Sequence, residues 1–153
     1  SINGGFIENV IPESVRITGT LRFIDPETHQ RLHQEIRRAF EISRTLGGDY
    51  KLELETGCPP MVNYEKVAQV IRQAAIDILG EEHVHPGQKT LGAEDFGSFM
   101  ELAPGAMFML GAQKEGHEDY PLHHPKFDLD ERALPIGTAM LAETALRILK
   151  QET

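Results

Sequence analysis

The sequence predicts an α/β protein built from two parts. In its first third, three stretches of alternating or apolar residues surround one amphipathic helix, which gives the order β-β-α-β. The remainder has three helical patterns and one apolar strand, in the order α-α-β-α. A proline-rich sequence near residue 60 separates the two parts. The predicted class is therefore α+β for the first part and α/β for the second.

The strands of the first part are predicted from period-two alternation. In residues 14–24, apolar residues alternate with Arg and Thr, as in a half-buried strand. A shorter apolar stretch, residues 6–11, precedes them, and residues 50–56 alternate again. The helix between these stretches begins at Asp25-Pro26, a cap followed by a first-turn proline, and stops at Gly47-Gly48.

The β-β-α-β order is the second part of a ferredoxin-like sandwich, whose full order is β-α-β-β-α-β. The first strand and helix of that fold are missing from the predicted elements. The chain also starts without Met, in sheet-forming sequence at Ser1. We therefore expect the start to be a cut rather than a natural beginning.

The second part is predicted to be mostly helical. Asn63 is expected to cap a helix that Gly80 closes, a short helix follows at 94–102, and a last helix runs from about 130 to 150. Its one strand, residues 106–110, has no predicted partner for its backbone groups. We expect its sheet to come from sequence outside the chain.

Composition excludes several functions. Among the 153 residues the formal net charge is −9, and no dense run of Lys and Arg offers a surface for nucleic acid. No apolar stretch approaches the roughly 20 residues that span a bilayer. The single cysteine, Cys58, rules out an internal disulfide and indicates a reducing compartment. The prediction is a soluble, cytoplasmic protein.

The densest candidate site is residues 122–128, LHHPKFD, in a long loop before the last helix. Either His123 or His124 could be a metal ligand there, although neighbouring loop histidines are more often solvated. His29 and His33 also have metal-compatible spacing on a helix, but a solvated face is the favoured interpretation.

Two further groups could bind a substrate. Gly92 and Glu94 belong to a GAEDFG segment, whose carboxylates could serve a site or complement a helix N-terminus, the favoured interpretation. Asn9 and Arg22 could together hold a carboxylate, and a plain cross-strand polar pair is as well supported.

Taken in order, these segments resemble the aminoacylase-like metallopeptidases, the branch of hippurate hydrolases, N-acyl-amino-acid amidohydrolases and auxin-conjugate hydrolases. The resemblance covers nearly the whole chain. It is carried by GGFIENVIPESVRITGTLRF, PPMVNYE, TLGAEDFGSFME, PGAMFMLG and LHHPKFDLDERALPIGTAMLAETAL.

The resemblance implies that residues 1–57 are most of a lid domain that commonly forms a homodimer. Residues 61–153 would then be the C-terminal portion of a zinc-exopeptidase-like catalytic domain. That family carries two divalent ions, among Zn, Mn, Co and Ni, and cleaves N-acyl amino acids. The catalytic residues and most metal ligands of the family come from sequence absent here, so the chain is expected to be inactive alone.

For individual residues, the resemblance implies that His123 is a metal ligand, with His124 where relatives usually have Ser or Asn. It implies that Asn9 and Arg22 hold the substrate carboxylate and that Gly92 and Glu94 line the active site. The alternative from another class is a non-catalytic ferredoxin-like module for dimerisation or small-molecule binding.

Overall fold

The computed structural model describes residues 1–151 and divides the chain into two compact units. Unit 1 comprises Ser1–Pro60, and unit 2 begins at Met61. Among the described residues, no helix combines the length and apolar character needed to cross a bilayer.

Unit 1 contains a short antiparallel sheet. Its strands are β1 (Ile2–Asn3) and β2 (Arg16–Ile17), with Ile2 opposite Ile17 and Asn3 opposite Arg16. The pairing continues for one residue, because the Thr18 N–H donates to the Ser1 carbonyl at 3.0 Å. Of the predicted strand at 14–24, only Arg16–Ile17 form a strand, and Thr18 extends their pairing by one residue.

The predicted β-β-α-β arrangement of a partial ferredoxin-like lid is not what residues 1–60 show. Residues 6–11 form a bend and a turn, in which the Val10 N–H donates to the Ile7 carbonyl at 3.3 Å, and residues 50–56 form no strand. The alternating sequence pattern shows only which side chains are apolar. A strand also needs a second strand beside it to hydrogen-bond with its backbone N–H and C=O groups. Within the described residues, only β1 and β2 provide such neighbours for each other.

Helix α1 (Pro26–Thr45) forms where the sequence predicts it. The Asp25 carboxylate caps it by accepting the Thr28 backbone N–H at 2.8 Å and the Thr28 hydroxyl at 2.7 Å. These hydrogen bonds lower the pKa of Asp25. The helix ends before Gly47, whose φ of +87° suits a residue without a Cβ.

Tyr50 packs on the end of α1 instead of entering a strand. Its ring centroid lies 5.6 Å from that of Phe40, and the Arg44 guanidinium lies 4.7 Å from the Tyr50 centroid. The Tyr50 hydroxyl donates to Glu41 at 2.7 Å, which raises the pKa of Tyr50. This docking helps explain why the alternation that starts at Tyr50 does not become a strand.

Unit 2 is built on α2 (Glu65–Leu79) and α4 (Ala133–Gln151), which pack against each other. Its small core joins Ile71 and Ala74 of α2 to Met140 of α4. At the edge of this contact Arg147 bridges the two helices, with ion pairs of 2.8 Å to Asp77 and to Glu143. The core side chains packed around these residues are Val67, Ala75, Ala106, Phe108 and Ile136.

Between α2 and α4 lie a 3-10 helix (Glu81–His83) and the five-residue helix α3 (Phe96–Met100). Gly80 ends α2 with φ +92° and ψ 151°, a conformation essentially reserved for glycine.

The sequence predicted that Asn63 caps α2, and this prediction is wrong. The N-cap is Tyr64, without a side-chain cap, and the Asn63 amide instead makes two 2.8 Å hydrogen bonds to the Met107 backbone. The Tyr64 N–H adds a bond of 2.9 Å to the Gly105 carbonyl. Residues 106–110 are thus anchored by a side chain and are not assigned as a strand.

Candidate functional site

The candidate site centres on a loop, residues 112–130, whose two ends are tied together. The Asp130 N–H donates to the Ala112 carbonyl at 2.9 Å, and Lys114 Nζ lies 3.0 Å from Asp128 Oδ2. The hydrogen bond from Lys114 lowers the pKa of Asp128. The two ends of the loop therefore lie close together, which restricts the conformations that its tip can adopt.

Two consecutive turns form the tip of this loop. The His124 N–H donates to the Pro121 carbonyl at 3.0 Å, and the Phe127 N–H donates to the His124 carbonyl at 2.9 Å. His123 is the third residue of the first turn and has φ +71°. Among residues 1–151 it is the only non-glycine residue with positive φ. Such a conformation costs about 1–3 kcal/mol and persists where the surroundings impose it.

The two adjacent histidines differ in their surroundings. His123 is exposed and its side chain is presented from the strained position of the turn. His124 is half-buried, its ring stacks on Tyr120 with centroids 4.4 Å apart and planes 9° apart, and its Nδ1 accepts the Lys126 N–H at 3.1 Å. One ring nitrogen of His124 is therefore already used inside the loop.

Tyr120 is the second half-buried ring of the tip. Its hydroxyl donates to the Glu118 carboxylate, which raises the pKa of Tyr120. Lys126 Nζ lies 5.5 Å from the centroid of the same ring, within the range of a cation–π contact. Tyr120 did not stand out in the sequence, because a single aromatic in a polar loop has no periodic pattern around it.

The GAEDFG segment lies in a separate loop of unit 2, before α3. The Gly92 N–H donates to the Thr90 hydroxyl at 3.3 Å, and the Glu94 side chain is exposed. Asp95 occupies the N-cap position of α3 without a side-chain cap hydrogen bond. The interpretation favoured from the sequence, that a carboxylate complements the dipole at the helix N-terminus, does not require such a bond and stays a prediction.

Asn9 and Arg22 both lie in unit 1 and both are exposed. Asn9 belongs to the turn between Ile7 and Val10, and Arg22 follows β2 in a stretch that is not assigned as a strand. Neither residue therefore lies in a strand. Their role as a carboxylate grip stays a prediction.

His29 and His33 are not the solvated pair that the sequence favoured. Both are half-buried. Phe23 stacks on His29 with centroids 4.0 Å apart, and the His29 and His33 rings meet edge to face at 4.2 Å. The sequence could not show this stack, because Phe23 precedes the helix and lies outside its periodicity.

The five predicted site residues are divided between the units: Asn9 and Arg22 in unit 1, and Gly92, Glu94 and His123 in unit 2. Within residues 1–151, no three side chains of His, Cys, Asp or Glu form a group that could hold a metal ion. An imidazole side chain is in general a suitable ligand for Zn or Ni.

Asp130, at the base of the loop, should give the protein a pH-dependent stability. Hydrogen bonds from the side chain and then the backbone N–H of Arg132 lower its pKa from 3.8 to about 2. A lowered pKa stabilises the fold above the unfolded value near 3.8, and this contribution is lost as the pH falls through about 2. We therefore expect Asp130→Asn to be less stable than wild type at pH 6, with the difference shrinking toward pH 2.

Urea unfolding of both proteins between pH 6 and pH 2, followed by circular dichroism, measures this difference. Glu131→Gln, at the neighbouring position, is the control. A difference for Asp130→Asn that stays constant with pH would contradict the assignment.

Comparison with solved structures defines the class of fold. The structure is similar to the crystal structure of the Bacillus subtilis YXEP protein, described as a dinuclear metal-binding peptidase of the M20 family. The TM-score is 0.79 at 31% identity, over 98% of this chain and 40% of that one. The fold is therefore that of M20 peptidases.

The sequence comparison gives the family. The model of peptidase family M20/M25/M40 matches residues 4–147, and the chain belongs to this family of metal-dependent hydrolases. The resemblance drawn from the five sequence motifs is thereby confirmed.

Curated relatives agree with this assignment. The chain is 37% identical to a protein of Synechocystis described as a probable hydrolase, over 94% of this chain. It is 32% identical to an IAA-amino acid hydrolase of Arabidopsis thaliana over 99% of the chain, and 34% identical to the N-acetyl-L-cysteine deacetylase of Bacillus subtilis over 97%. The matched regions are 37%, 35% and 34% of these relatives, so the chain spans about a third of their length.

Proposed function

We propose that the chain is the C-terminal part of a metal-dependent amidohydrolase that cleaves N-acyl amino acids and that it is inactive alone. The observation that carries the proposal is the match of nearly the whole chain to about a third of relatives named for acting on amino-acid conjugates. One of these names specifies an N-acetyl amino acid as the substrate.

In this proposal His123 donates one imidazole to a divalent metal. Support comes from its exposure and from its strained backbone, since strain of this kind gathers at functional sites. His124 is the weaker candidate, because its Nδ1 accepts the Lys126 N–H inside the loop. The remaining ligands and the general base would come from sequence outside this chain.

The bound ions would lower the pKa of water and polarise the amide carbonyl of the substrate. The residues of this chain would orient the substrate: Asn9 and Arg22 by holding its carboxylate, and Gly92 and Glu94 by lining the pocket. Holding a reactant in the correct geometry can lower the free-energy barrier of the reaction by up to about 7–11 kcal/mol.

We also propose that residues 1–57 take part in a homodimer. Several large apolar side chains of unit 1 are exposed, among them Phe6 and Ile11, each with 94% of its surface accessible. Helix α1 has no fully buried residue. Apolar surface of this kind favours burial against a partner.

The function is tested by comparing the intact protein with residues 1–153 alone. With Zn²⁺ or Mn²⁺ added, we expect the intact protein to release glycine from hippurate or from other N-acyl amino acids, and to lose this activity after treatment with a chelator. We expect residues 1–153 to release none. Turnover by the chain alone would show that it carries a complete site and would overturn its proposed incompleteness.

A further inference from the structure

Tyr120 and His124 are the two half-buried residues of the segment 115–128, and every other residue of this segment is exposed. Their rings stack almost in parallel, with planes 9° apart. A loop that buries little else depends on such a contact for its internal order. The stack is therefore the small core of the loop tip.

His124 also fixes the backbone conformation of the loop tip. Its Nδ1 accepts the N–H of Lys126, two residues ahead, as the side chain of Asn or Asp does in an Asx turn. Its backbone N–H and carbonyl close the two turns to Pro121 and Phe127. Three hydrogen bonds thus converge on the residue that directly follows His123.

The strained φ of His123 needs this support. A positive φ is unfavourable for a residue with a Cβ, and it persists when neighbouring contacts impose it. The first turn fixes the backbone of His123 on one side, and the held ring of His124 fixes it on the other. The first turn and the His124 ring together determine the direction in which the His123 side chain extends from the loop.

We propose that Tyr120 and His124 are positioning residues that hold His123 in the orientation in which it binds metal. The proposal rests on the proposed function, because it takes His123 as the ligand. Tyr120 would touch neither substrate nor metal. It would act through the His124 ring.

The first measurement uses residues 1–153 without metal. The rates of amide hydrogen exchange, followed by NMR, measure how stable the hydrogen bonds donated by the His124, Lys126 and Phe127 N–H groups are. Because an aromatic stack is worth about 0.5–1.5 kcal/mol, Tyr120→Ala should accelerate exchange at these amides by about 2- to 10-fold. Tyr120→Phe, which keeps the stack and loses only the hydroxyl, should leave the rates unchanged.

His124 is tested by a second pair of variants. In His124→Asn an amide oxygen replaces Nδ1 as the acceptor, so the Lys126 amide should keep part of its protection. In His124→Ala the acceptor and the stack are both lost, so exchange should be fastest. Equal rates in these two variants would show that the bond to Lys126 does not order the turn, and would overturn the role given to His124.

The second measurement is the Zn²⁺ affinity of the intact protein, from competition with a chromophoric chelator. Tyr120→Ala should weaken affinity by about 10-fold, the lower end of what outer partners of metal ligands contribute, and Tyr120→Phe should not. Faster exchange with unchanged affinity would overturn the positioning role. If the intact wild type binds no Zn²⁺ while exchange responds as expected, the proposed function fails instead, and the two failures are told apart.

Discussion

Replacing His123 by Gly in the intact protein should lower kcat/KM for an N-acyl amino acid by more than about 100-fold. Outer partners of metal ligands already contribute about 10- to 100-fold, and the loss of a ligand itself should exceed this. Glycine is the informative substitution, because the backbone has φ +71° at this position and glycine adopts that conformation without strain. The variant thus removes the imidazole and keeps the turn.

Steady-state kinetics and metal content of the purified variant measure the effect. His117→Ala is the matched control, since His117 is an exposed histidine of the same loop. Unchanged activity and unchanged metal content in His123→Gly would exclude His123 as a ligand. Such a result would favour the alternative of a non-catalytic binding module.

Met140→Ala should cost unit 2 about 2–5 kcal/mol of unfolding free energy, the range for truncating a fully buried Met, Leu or Ile. Only 2% of the Met140 surface is accessible. The side chain packs against Ile71 and Ala74, and few other residues of the unit are as well buried. The cavity would therefore open in the middle of the contact between α2 and α4.

Leu141→Ala is the control for Met140→Ala. Leu141 is the next residue of the same helix, but 65% of its surface is accessible, so its truncation should change stability by no more than about 0.5 kcal/mol. Urea unfolding of residues 1–153, followed by far-ultraviolet circular dichroism, compares the two variants. Equal losses would mean that the contact between α2 and α4 does not limit the stability of the unit.

The helices were the predictable part of the fold. Their signals are local: Asp25-Pro26 begins α1, Gly80 ends α2, and apolar residues recur at helical spacing between such limits. A helix satisfies its own backbone hydrogen bonds, so its sequence contains most of what determines it.

The strands were not predictable to the same degree. A period-two pattern marks residues 14–24 and 50–56 equally well, yet only Arg16–Ile17 pairs in the sheet. Pairing depends on a second segment far along the sequence. The alternation alone could not indicate that Tyr50 docks on α1 instead.

At the candidate site, the sequence identified His123 and His124 but could not separate their roles. The separation comes from the φ of His123 and from the hydrogen bond and ring stack of His124. These features have no signature in the sequence, because Tyr120 and Lys126 become partners of His124 only after the two turns have formed.

The bonds between Asn63 and Met107 join positions 44 residues apart. The entropy lost in closing a loop grows only with the logarithm of its length, by about 0.6 kcal/mol for each doubling. The connection between His83 and Phe96, which lies inside this span, can therefore lengthen in related proteins at little thermodynamic expense. The Asn63 amide would still hold Met107, and the Tyr64 N–H would still hold Gly105, so variation in that connection need not disturb the rest of the unit.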